Sequence, residues 1–110
     1  MSQFDPFEGF QTTVAAAGTA VALSPQPYGN TNTILVYNST ANDVFLKWQT
    51  SNAAITAANG VRVPATSSVQ LVIGPASQRP SAGGAGYELY ADASAGGTTF
   101  EVAYVNGSSY

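Results

Sequence analysis

The chain has no cysteine and no histidine. The first absence excludes disulfides, thiolate metal sites and a cysteine nucleophile. The second excludes a Ser-His-Asp triad and histidine-ligated zinc or copper. Charge is scarce too: 8% of the 110 residues are charged, against about 25% in a typical soluble protein. The cations Lys47, Arg62 and Arg79 are scattered and form no basic patch, so no nucleic-acid partner is expected. Apolar runs such as VAAA (14–17) fall far short of the roughly 20 residues that span a bilayer, so no membrane partner is expected. The start, MSQFDPFEGF, shows neither the basic region nor the apolar core of a secretory signal. Synthesis in a cytoplasm without secretion is therefore expected.

What remains is Ser, Thr, Asn, Gln and Gly over a period-two apolar pattern. A surface of this kind is weakly hydrated and easily desolvated, which suits an extracellular protein or one packed in an assembly. A single domain of this length buries roughly two thirds of its unfolded surface and holds one core without staples. TILVY (33–37), VFLKWQ (44–49), SSVQLVI (67–73), YELYA (87–91) and TTFEVAYV (98–105) read as strands, rich in β-branched and aromatic residues. Alternation puts Val44, Leu46 and Trp48 on one face, as it does Val69, Leu71 and Ile73, then Tyr87, Leu89 and Ala91, then Phe100, Val102 and Tyr104. Weaker strands fit 11–16 and 19–23, joined at Gly18, and a short one fits 61–63. The separators, SPQPYGNTN, SNAAITAANG, GPASQRPSAGGAG and ASAGG, are turn material, with one helical turn conceivable at 53–58. The expected fold is all-β: a single small antiparallel β-sandwich or jelly-roll-like barrel over 11–110.

Residues 1–10 form a separate aromatic arm in this reading. Phe4, Phe7 and Phe10 recur at every third position around Asp5-Pro6 and Glu8, with a helical turn conceivable from Pro6. Each Phe gains roughly 1.5–3 kcal/mol on burial. The arm therefore docks on its own sandwich or on a neighbouring subunit.

The chemistry-bearing residues are few. Glu88 with Asp92, or with Glu101, has the composition of a glycosidase acid pair, but a small strand-built domain rarely supplies the cleft, and solvated strand-face charge is expected. Gly83-Gly84-Ala85-Gly86 and Gly96-Gly97 do not join a strand to a helix, so they are turns rather than phosphate loops. Neither catalytic residues nor a cofactor or metal site are expected. Aromatics are the better recognition candidates, either as core residues or as a stacking platform for sugar rings. Tyr90, on the Glu88 and Asp92 face of its strand, is the one expected to be exposed. Asn38-Ser39-Thr40 fits the N-glycosylation acceptor pattern, and so does Asn106-Gly107-Ser108. Both follow strands, and without a secretory signal both read as turns. TILVY and VFLKW would then be antiparallel neighbours joined by the YNSTAND connection.

NTILVYNSTANDVFLKWQ, VRVPATSSVQLVIGP and YELYADASAGGTTFEVAYVNG together resemble short virion proteins of tailed phages. The marks are Asn38 after a strand, Pro64-Ala65 before an apolar strand, and Gly74-Pro75 after it, over about residues 12–105. The resemblance implies a β-sandwich or jelly-roll module that decorates or cements capsids, forms symmetric oligomers and assembles in a host cytoplasm. It brings no catalytic motif. The function expected is that of a capsid decoration or cement protein at the virion surface. Its partners would be the major capsid protein and copies of itself, as a dimer or trimer. Phe4, Phe7, Phe10 and Tyr90 are its candidate partner-binding residues. The alternative is a carbohydrate- or receptor-binding module of a tail or head fibre, using Tyr90, Trp48 or residues 75–86.

Overall fold

Alternating apolar and polar residues between Gly- and Asn-rich turns leave little option but short strands, and the computed structural model contains eight among the residues it describes. Those residues are 9–27, 31–74, 79 and 86–106. The strands are β1 (Gly9–Val14), β2 (Val21–Ala22), β3 (Thr31–Asn38), β4 (Val44–Gln49), β5 (Val61–Val63), β6 (Ser67–Val72), β7 (Glu88–Ala93) and β8 (Thr98–Asn106). No helix occurs among the described residues, and 57–59 form a turn.

The strands make two four-stranded antiparallel sheets, in the orders β1-β8-β3-β6 and β2-β7-β4-β5. First pairs with last, second with seventh, third with sixth and fourth with fifth. That winding is the strand order of a jelly roll. It follows that most successive strands lie in opposite sheets, and the expected hairpin is absent. TILVY in β3 and VFLKWQ in β4 do not pair; YNSTAND carries the chain from one sheet to the other. The two weak N-terminal strands likewise separate into β1 and β2 of different sheets. Gly18, between them, has φ +88°, and its N–H donates to Asp92 Oδ1 at 3.1 Å. Glycine adopts this left-handed conformation at little steric cost.

Asn38 explains why YNSTAND crosses rather than turns back. Its side chain is fully buried. Nδ2 donates to the carbonyls of Asn42 (2.7 Å), Pro64 (3.1 Å) and Val63 (3.3 Å), while Oδ1 accepts from the Thr40 N–H (3.1 Å) and hydroxyl (2.6 Å). One amide thus holds the β3–β4 crossover against the β5–β6 crossover. An amide nitrogen engaged in this way is not available to a glycan.

Between the sheets lie Val14, Leu23, Ile34, Val36, Val44, Leu46, Val63, Leu89, Ala91, Ala93, Phe100, Val102 and Tyr104. Full burial of each of the larger side chains contributes roughly 1.5–3 kcal/mol. A second, smaller cluster sits outside the sandwich. The 50–60 segment that joins β4 to β5 folds back over the outer face of its own sheet. It buries Ile55, 2% exposed, with Ala20 and Phe45, and Tyr90 packs alongside. Gln49 Nε2 donates to the Ser51 and Ala53 carbonyls at 2.8 Å each, and the Ile55 N–H donates to Asp92 Oδ2 at 3.0 Å.

Candidate functional site

The two outer faces differ. That of β2-β7-β4-β5 carries the 50–60 segment. At the Thr31 and Gly74 end of β1-β8-β3-β6, Arg79 is buried, and register fixes what the rest of that outer face presents. One row across the sheet is Gly9, Ala103, Leu35 and Gln70; the next is Gln11, Glu101, Tyr37 and Ser68. Tyr37 is 56% exposed, and Val72, at the β6 edge, is 78% exposed. Glu101 is the one charge that these rows bring to the face.

A shallow groove of about 470 Å³ runs along these rows, lined by Gly9, Phe10, Gln11, Leu35, Tyr37 and Glu101 among others. Gly9 keeps its floor open: a Cβ there would stand 3.0 Å from the Val102 carbonyl oxygen. Beyond the groove, the Thr13 and Thr99 hydroxyls are hydrogen-bonded across β1 and β8 at 2.7 Å. An aromatic ring, a carboxylate and an amide thus border an apolar floor. This arrangement suits recognition by contact and hydrogen bonding.

The residues singled out in sequence fall in different places. Phe4 and Phe7 lie outside the described residues. Phe10 belongs to β1, is half-buried against the core, and meets Tyr104 edge to face, with centroids 5.2 Å apart and planes at 62°. Tyr90 is not the exposed aromatic of the alternation argument; the 50–60 segment leaves it half-buried beside Phe45 and Ile55. Trp48 is half-buried at the edge of the main core.

The carboxylates do not converge. Glu88 is exposed on β7 and Glu101 is exposed on β8, in the other sheet. Asp92, expected as a solvated strand-face charge, is 1% exposed. It accepts backbone N–H bonds from Gly18 (3.1 Å), Ile55 (3.0 Å) and Ala93 (2.7 Å). Those donors, from three separate segments, compensate the loss of water. Asp43 accepts from the Ala65 N–H at 3.0 Å and pairs with Arg62 at 3.2 Å. Arg79 is buried, with Nε donating to the Gly74 carbonyl at 2.8 Å and Nη2 to the Thr31 carbonyl. Burial lowers its pKa below the ordinary arginine value. No group of three or more metal-ligating side chains occurs among the described residues.

The exposed aromatic on this face that sequence reasoning passed over is Tyr37. The signal was present: Ile34 and Val36 alternate with Leu35 and Tyr37, so burial of the first pair turns the second outward. No protein-family model matches the chain, no curated protein does, and no solved structure does.

Proposed function

We propose that this chain is a structural docking protein of a virion, a decoration or cement protein that binds the major capsid protein. The observation that carries the reading is the asymmetry of the sandwich. One outer face is sealed by the chain's own 50–60 segment, with Ile55 buried; the other leaves Tyr37 exposed beside a groove whose lining carries one charge, Glu101. An uncharged face loses little hydration on contact, and Tyr is among the residues enriched at interfaces. The jelly-roll order is shared by capsid and lectin domains among others, so it is compatible with this role without selecting it.

The mechanism is burial of that face across capsid subunit junctions, which opposes outward pressure from the packaged genome. The test is co-sedimentation with capsids assembled from the major capsid protein of the same virion, together with capsid heat resistance. Tyr37→Asp is expected to abolish binding while stability changes by no more than about 0.5 kcal/mol, as for an exposed site. Wild-type chain that stays in the supernatant, or a variant that binds unchanged, overturns the proposal.

One observation favours a second reading, a carbohydrate-binding module. Tyr37, Glu101 and Gln11 border the same groove, and a ring face with a carboxylate and an amide suits a sugar. Glycan-array binding that disappears in Tyr37→Ala, with no capsid binding, selects this reading; a blank array with tight capsid binding rejects it.

A further inference from the structure

At the opposite edge of the sandwich lies a second groove, of about 460 Å³. Its walls come from both sheets: Leu71, Val72 and Ile73 on one side, Trp48, Gly60 and Val61 on the other. It exists because β5 is short. β5 pairs only with Val44, Phe45 and Leu46, so Lys47, Trp48 and Gln49 have β7 on one side and no described strand on the other. Facing this gap is β6, the edge strand of the other sheet. The walls are apolar, and Val61 and Val72 are exposed. Lys47, the one described cation that does not have its side chain tied by an ion pair or by backbone carbonyls, also lines the groove.

We propose that this groove takes the N-terminal segment of a second copy of the chain, with Phe4 and Phe7 as its apolar anchors. The chemistry matches: Phe4 and Phe7 for the apolar walls, and Asp5 and Glu8 beside Phe7 for Lys47. The geometry assigns the donor. The pairings Gly9–Ala103, Leu35–Ala103 and Leu35–Gln70 put the start of β1 at the end of the sandwich where β6 runs on to Ile73. Three strand spacings separate β1 from β6, about 14 Å at ordinary spacing. Phe7, two residues before Gly9, reaches no further than about 7 Å from it. Phe4 reaches about 17 Å. A chain can thus bring at most Phe4 to its own groove; both rings enter only from a neighbour. The inference is independent of what the Tyr37 face binds.

The absence of cysteine makes the test clean. Phe7→Cys and Val72→Cys chains are mixed and oxidised, each variant alone serving as control. A disulfide-linked heterodimer, at least tenfold over either control, is expected. Sedimentation of the full chain should show species of twice the monomer mass or more, and Phe4→Ser/Phe7→Ser should run as a folded monomer whose melting temperature, unlike the wild type's, does not change with concentration. Trp48, the chain's single tryptophan, should shift its emission to the red on dilution of the wild type and not of that variant. A wild type that is monomeric at every concentration overturns the proposal. So does a Phe4→Cys/Val72→Cys chain that closes only within itself.

Discussion

Replacing Asn38 with alanine is the sharpest probe of how the two sheets are held in this winding. The substitution removes five hydrogen bonds and leaves the Asn42, Val63 and Pro64 carbonyls and the Thr40 N–H short of partners. The bond to Val63 is buried, and an acceptor orphaned there costs roughly 1–3 kcal/mol. The other four bonds are part-buried, so water recovers much of each, leaving about 0.5–1 kcal/mol apiece. The sum is about 3–7 kcal/mol, a large share of the roughly 5–15 kcal/mol that holds a domain together. At an m-value of about 2 kcal/mol per M, a loss of 4 kcal/mol lowers the urea midpoint by about 2 M. Trp48 fluorescence follows the transition. Asn38→Asp keeps the shape but sets a carboxylate against three carbonyls, which favours its protonated form. The folded state then keeps that proton to higher pH than the unfolded chain, so the variant's stability falls as pH rises through and above about 4. Were Asn38→Ala to cost less than 1 kcal/mol, the amide would not be the tie between the crossovers.

Four further substitutions probe the same structure. Asp92→Asn replaces one carboxylate oxygen with an amide donor facing backbone N–H groups, and should cost about 2–3 kcal/mol, with faster hydrogen exchange at Ile55 than in the wild type. Gly60→Ala should destabilise by more than 2 kcal/mol, because its Cβ would lie 2.4 Å from Ile55 Cγ2 and 2.9 Å from the Leu46 carbonyl oxygen. Gly97→Ala, at φ +75° with nothing within 4 Å, should cost only about 1–2 kcal/mol of backbone strain; a reversed ranking in urea titrations would refute the steric argument. Ile55→Ala should cost about 2–4 kcal/mol and expose Tyr90, read as increased tyrosine accessibility to nitration.

Strand positions were legible in the sequence because a period of two is a local property. SSVQLVI and TTFEVAYV place Val69, Leu71, Phe100, Val102 and Tyr104 inward, as alternation requires. Which strand pairs with which was not legible. A short polar connection such as YNSTAND suits a hairpin and a sheet-to-sheet crossover equally, and the choice is made by carbonyls of Val63 and Pro64, some 25 residues away. Asp92 and Tyr90 were misread for a related reason. Alternation assigns a side chain to an outer face, but it does not report that another segment will cover that face. The 50–60 stretch contains a single large apolar residue, Ile55, amid Ala, Ser, Thr, Asn and Gly, too sparse a pattern to announce a packed element.

The same reasoning bears on why only one face is covered. The 50–60 segment adds Ile55, Ala20 and Phe45 to a satellite core and is anchored by a carboxylate that accepts from three segments. Burying an ionised side chain is costly unless its bonds are complete, so the Asp92 arrangement fixes one position for that segment rather than several. The opposite face has Tyr37, Leu35 and Val72 available for similar burial, yet the described chain brings nothing over them. Several half-exposed apolar groups on a face with one charge are a standing drive toward contact with something else. The two proposed contacts, one at the open face and one at the β5–β6 groove, would let one copy meet two neighbours at once, and a head-to-tail contact such as the second closes into rings or runs on as a filament.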